Sequence, residues 1–175
     1  YYELIKELES LNRLPGSSDY ELASHIIFDK LKQLKLDPQM YTFPLNHNYS
    51  GWLPHTNYKH WKDSQAQIEL NPESDFFVIS CDITQNTNNL ENVLLITHLC
   101  HPSPGANDNL SGVATLLDIA SKSTNKPDWP NITLLFTYEY WGTIAYLTQI
   151  PKKYNYSFAI SVDMVAGDQT DKNNI

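Results

Sequence analysis

Cysteine is scarce in this chain: Cys81 and Cys100 are the only two in 175 residues, which excludes a disulfide-built extracellular scaffold and favours a reducing cytoplasm. Basic residues are also few. Twelve Lys and Arg against twenty Asp and Glu give a formal net charge of -8 and a pI near 5.1. That balance repels phosphate backbones and anionic lipid, so nucleic acid and membrane surfaces are not expected partners. Long apolar runs are missing: none approaches the roughly 18 to 20 residues that span a bilayer, and no basic stretch followed by an apolar one marks a secretory leader. No internal repeat or low-complexity tract is visible. The expectation is a soluble, cytoplasmic protein.

What is present suits a globular fold. Hydrophobic residues make up 41% and charged residues 18%, and a mean hydropathy of -0.42 with ten prolines suggests generous loops. The length fits one domain over residues 1–175. Because the sequence starts at Tyr1 and ends at Ile175 just after a strand-like segment, it is expected to be an incomplete chain, a piece of a longer product.

Periodicity gives the order of elements. Residues 1–11 carry apolar side chains at helical spacing and stop at Leu14-Pro15-Gly16-Ser17. Ser18 and Glu21 form a capping-box pattern ahead of a helix with Leu22, Ile26, Leu31 and Leu34 on one face. A short strand is expected at 39–43, followed by an irregular, aromatic-rich insert at about 44–72. Short apolar runs then occupy 76–81, 93–97, 132–138 and 158–162, of the length and Val, Ile and Phe content of strands buried on both faces. Helical patterns at 110–121 and 141–147 separate the last three. Alternation of this kind predicts an α/β fold with a mostly parallel central sheet flanked by helices.

The most informative stretch runs from Thr97 to Gly112, Thr-His-Leu-Cys-His-Pro-Ser-Pro-Gly-Ala-Asn-Asp-Asn-Leu-Ser-Gly. It leads from a strand-like run into a helix-like one and holds His98, His101 and Asp108, residue types that ligate zinc. In open α/β sheets, ligands bind beyond the carboxyl ends of the strands. His98, Glu139 and Asp163 each follow a separate strand, and Asp108 precedes a helix whose N-terminus favours negative charge.

Each residue has an ordinary reading as well. Asp108 or Asn109 is a natural helix N-cap, His101 a turn residue, and His98 a buried histidine bonded to backbone. The four together on one edge concentrate charge that a metal or substrate would stabilise, which points to a site. His25, His47, His55 and His60 have no carboxylate or cysteine at ligand spacing, and Cys100 lacks a C-x-x-C partner.

The segment Gly105-Ala106-Asn107-Asp108-Asn109-Leu110-Ser111-Gly112, behind a strand ending in His98, resembles the metal loop of the zinc aminopeptidases that share a fold with bacterial leucyl aminopeptidase and glutaminyl cyclase. Arg13-Leu14-Pro15-Gly16-Ser17 is similar to their N-terminal segment. Cys100-His101-Pro102-Ser103 and the stretch from Glu139 to Leu147 look most like the aminopeptidase-like branch linked with polysaccharide biosynthesis. The resemblance implies a phosphorylase/hydrolase-like zinc exopeptidase architecture. It also implies a zinc held by His98, Asp108 and Asp163, with Glu139 as the general base that activates water against a peptide or amide carbonyl.

Departures from the family pattern are equally specific. The glutamate of the family's second metal position falls on Tyr140, its distant histidine has no counterpart before Ile175, and the usual orienting carboxylate two residues after the strand-end histidine is Cys100. One zinc site is therefore expected and a second is doubtful. His101 stays open as the alternative imidazole ligand, with His98 favoured by its strand-end register. Two other functions fit the same residues: a catalytically silent binding domain, and glutaminyl-cyclase-like acyl transfer.

Overall fold

The computed structural model describes residues 1–45, 75–84, 91–101, 104–123, 126, 129–151 and 155–166, the Tyr140 side chain excepted. Beyond Leu45 the insert expected at 44–72, with His47, His55 and His60, lies outside the described residues. Helix α1 (Tyr2–Glu9) buries Leu4 and Leu8, one turn apart. Helix α2 (Ser18–Gln33) buries Tyr20, Ala23, Ser24, Ile27 and Leu31. Its cap is Ser17, not the expected Ser18: Gly16 turns the chain at φ 81°, leaving Ser17 extended, and its side chain accepts from the Tyr20 N–H at 3.1 Å.

Among the described residues five strands follow in sequence, as β1 (Gln39–Pro44), β2 (Asp75–Thr84), β3 (Asn92–His98), β4 (Asn131–Thr137) and β5 (Phe158–Ser161). Helix α3 (Ser111–Lys122) joins β3 to β4, and α4 (Glu139–Gln149) leads from β4 towards β5. The sheet order is β1-β2-β4-β3-β5. Strand β3 pairs in parallel with β4 on one side and β5 on the other. Strand β2 runs antiparallel to both β1 and β4, so the sheet is mixed where a mostly parallel one was expected.

The reason is that apolar runs report burial, not direction. Both faces of β2 are covered. Phe77 meets α2, where the Tyr20 hydroxyl donates to its carbonyl at 2.8 Å and its ring lies 6.1 Å from His25. Phe76, on the opposite face, stacks on Phe43 at 5.6 Å and meets Tyr138 edge-on at 5.4 Å. A strand enclosed in this way carries the composition of a parallel one whichever way it runs.

Strand β4 is the centre of the core, with Leu134 and Leu135 fully shielded and Phe136 1% exposed. Strand β5 departs from expectation, because all four of its residues are exposed and Phe158 and Ile160 keep 59% and 51% of their surface. Among the described residues it pairs with β3 alone. Among the described residues no helix is long and apolar enough to cross a membrane.

Candidate metal centre

The carboxyl ends of the parallel strands β3, β4 and β5 share one edge, so the residues that follow them are neighbours whatever their separation in sequence. His98 closes β3, Glu139 stands two residues beyond β4, and Asp163 two beyond β5. Asp108 comes from the irregular turn Ala106–Leu110, whose Asp108 and Asn109 depart from helical backbone and are joined by a cis peptide bond. Nε2 of His98 lies 3.2 Å from Oδ1 of Asp108 and 3.4 Å from Oδ1 of Asp163. One imidazole nitrogen and two carboxylate oxygens therefore converge.

The other ring nitrogen fixes the tautomer. His98 Nδ1 lies 3.0 Å from the Cys100 carbonyl, and since a carbonyl only accepts, Nδ1 carries the proton and donates. In the neutral ring the lone pair is then at Nε2, facing the two carboxylates. This donor set, one neutral imidazole oriented by backbone and two carboxylates, fits a divalent zinc ion.

His101 occupies a different position. Its Nε2 is 3.5 Å from Oδ2 of Asp108, whereas His98 meets Oδ1. Its Nδ1 is buried without a hydrogen-bond partner, packed so closely that a Cβ on Gly105 would lie 2.5 Å from it. Among the described residues, the groups whose donor atoms lie mutually within 4.8 Å are His98, Asp108 and Asp163, and His98, Cys100 and Glu139. His101 belongs to neither.

Glu139 is the first residue of α4, just past the end of β4, and it adopts φ 34°. A non-glycine residue in left-handed backbone stores strain, which folded proteins tolerate mainly at functional sites. Burial pushes the Glu139 carboxyl above the ordinary range; His98 and His101 partly offset that, while Asp108 and Asp163 add to it. Cys100 is fully buried and its thiol is pushed well up by desolvation. It is an uncharged neighbour of the site. A cleft of about 440 Å³ opens beside these groups, walled by Ile96, Thr143 and Ile144 as well as His98, Glu139 and Asp163.

The polar residues flanking Asp108 hold the loop together, a role the motif alone did not reveal. Asn109 is 1% exposed, and its amide donates to Thr97 Oγ1 and the Val162 carbonyl, both at 2.9 Å. Its Oδ1 accepts from the N–H groups of Gly112 and Met164, both at 3.1 Å. Asn109 thus caps α3, which frees Asp108 to face His98. The next two amides after Met164 are also taken by side chains: Val165 N–H by Ser111 Oγ and Ala166 N–H by Asn107 Oδ1, each at 3.1 Å. Three consecutive backbone groups behind Asp163 are pinned to the loop that carries Asp108. The signal available in sequence was the run of Asn and Ser around Asp108, which reads equally well as capping.

Gly112 completes this clasp. A Cβ there would lie 2.5 Å from Asn109 Oδ1 and 2.6 Å from Thr97 Oγ1, so only glycine lets α3 approach the ends of β3 and β5 this closely.

Solved structures define the class of fold. The zinc aminopeptidase from Bacillus subtilis superposes with a TM-score of 0.70 at 14% identity, covering 94% of this chain and 68% of its own. A Zn-dependent exopeptidase from Parabacteroides distasonis gives 0.66 at 19% identity, over 95% of this chain and 61% of its own. The glutaminyl cyclase of Porphyromonas gingivalis gives 0.67 at 17% identity, over 94% of this chain and 58% of its own. This is the α/β fold of those enzymes, and the chain spans about three fifths of the length of the last two. Residues 57–173 match the family described as Domain of unknown function (DUF4910), and the chain belongs to that family. No curated protein sequence matches it.

Proposed function

We propose that this chain carries the metal site of a zinc-dependent, aminopeptidase-like hydrolase acting on a peptide or amide bond. The observation that carries the reading is the convergence of His98 Nε2 with Asp108 Oδ1 and Asp163 Oδ1 from three separated segments. These three residues would hold the zinc, with His98 chosen over His101 because it faces both carboxylates. When bound, zinc polarises a carbonyl and makes a water acidic enough to attack near neutral pH.

Glu139 is the general base. Its burial makes the carboxylate a better proton acceptor than a solvated one. It takes the proton from the attacking water at a carboxylate oxygen and returns it to the leaving amine. The Cys100 carbonyl holds the His98 Nδ1 proton and so directs Nε2 towards the two carboxylates. Ile96 and Ile144 give the adjoining cleft an apolar wall where a substrate side chain can lie.

The same residues support acyl transfer in the manner suggested by the glutaminyl cyclase neighbour, with Glu139 moving a proton from an attacking amine to the departing ammonia. In this reading one catalytic domain spans residues 1–175 and belongs to the polysaccharide-linked aminopeptidase-like branch, on the motifs around Cys100 and Tyr140. A cytoplasmic location goes with it, supported by the free, buried Cys81 and Cys100.

The test is a panel of aminoacyl amides and an N-terminal glutamine peptide, incubated with zinc-loaded protein and with Glu139→Gln. Hydrolysis that falls about 10²- to 10⁴-fold in the variant is expected. Cyclisation without hydrolysis selects the acyl-transfer reading. Turnover that survives Glu139→Gln contradicts the proposed base, and absence of all turnover leaves the domain as a silent binder.

A further inference from the structure

Arg13 is the largest fully buried side chain among the described residues, at 0% exposure. A buried cation normally has a carboxylate partner, because removing it from water is costly. Here the guanidinium donates to backbone carbonyls on two sides. Towards the end of α1 it reaches Leu8 and, at 3.3 Å, Leu11. Towards the loop that carries Asp108 its Nε reaches the Leu99 carbonyl at 3.0 Å, and its Nη2 reaches those of Pro104 and Gly105, both at 3.4 Å. The Arg13 backbone joins the same clamp, its carbonyl accepting from His101 N–H at 3.1 Å.

These contacts bracket the loop. The carbonyl of Leu99 is fixed by Arg13, and that of the next residue, Cys100, orients the His98 ring. At the far end, Gly105 at φ 56° begins the turn that presents Asp108. We infer that Arg13 is a positioning residue for the metal site: its planar fork ties the helical N-terminal segment to both ends of the loop and so holds His98 and Asp108 in ligating register. The inference rests on the zinc reading above. A lysine cannot replace it, because a single ammonium cannot reach carbonyls in both directions at once. Burial pushes the pKa of the Arg13 guanidinium down to about 10, and Cys100, Glu9 and Asp108 only partly offset that.

The experiment uses the full chain. Zinc affinity is measured by competition with a chromophoric chelator, and the ligand field by the visible absorption of the cobalt-substituted protein, for wild type, Arg13→Lys and Ile27→Ala. Ile27 is equally buried but lies on α2, so its truncation controls for lost stability. Arg13→Lys is expected to bind zinc about 10- to 100-fold more weakly with a shifted cobalt spectrum, while Ile27→Ala keeps wild-type affinity and spectrum. A second measurement needs no variant. By reciprocal linkage, zinc should slow exchange of the Arg13 Nε proton in the wild type about tenfold or more. Wild-type affinity in a folded Arg13→Lys, equal losses in the control, or exchange unchanged by zinc each overturns the inference while leaving the zinc reading intact. A wild-type chain that binds no zinc overturns both.

Discussion

Asn109→Ala removes four hydrogen bonds from one buried point, and its cost can be worked from the contacts. The amide bridges the end of β3 through Thr97, the end of β5 through Val162 and Met164, and the start of α3 through Gly112. Each bond contributes about 1 kcal/mol net, and more where truncation strands a buried partner. Water can enter from the exposed side of Met164, which is 52% exposed, but Thr97 at 1% has no such relief. A loss of about 3 to 4 kcal/mol follows, or roughly 6 to 16 °C in Tm for a domain of this size. The assay is thermal unfolding followed by circular dichroism, with and without zinc. Asn109→Asp sharpens the comparison: it keeps the shape, turns a carboxylate oxygen towards the Val162 carbonyl, and adds negative charge beside Asp108. It should therefore weaken the fold at least as much as the alanine. A Tm within about 2 °C of wild type for Asn109→Ala would refute the claim that this residue fastens the segments carrying Asp108 and Asp163.

Glu139→Gln is expected to stabilise the zinc-free protein at neutral pH, because burial and the neighbouring Asp108 and Asp163 raise the folded-state pKa of this carboxyl. A raised carboxyl pKa destabilises the fold above that value. The advantage of the variant should therefore shrink as pH falls through the raised pKa and vanish below the ordinary carboxylate range, as read from Tm against pH. Gly112→Ala tests the close approach of α3. Helix propensity alone would make alanine better by about 1 kcal/mol, whereas the contacts a Cβ would make with Asn109 and Thr97 predict a loss of about 1 to 3 kcal/mol. Unfolding by urea decides the sign, and a stabilised variant would contradict the packing described here.

Much of the sheet was legible because burial leaves a compositional trace. Runs at 93–97 and 132–138 correspond to β3 and β4 with boundaries shifted by a residue, since both lie within the core. The direction of β2 was not legible, because coverage by helices on both faces gives the same apolar run for either direction. Nor was the exposure of β5, whose Phe158 and Ile160 carry the residue types of a covered strand. For the site, position after a strand was enough to gather His98, Glu139 and Asp163, because parallel strands end on the same edge. Arg13 and Asn109 escaped that logic. Their partners lie 86 and 53 residues away in the chain, and short-range patterning carries no record of contacts at such separations.

His98, not His101, is the proposed imidazole ligand of a zinc held with Asp108 and Asp163. Metal content after dialysis against buffered zinc, measured for wild type, His98→Ala and His101→Ala, tests it most directly. Tightly held zinc is expected in wild type and in His101→Ala, and its loss in His98→Ala. Unchanged zinc in His98→Ala would contradict it.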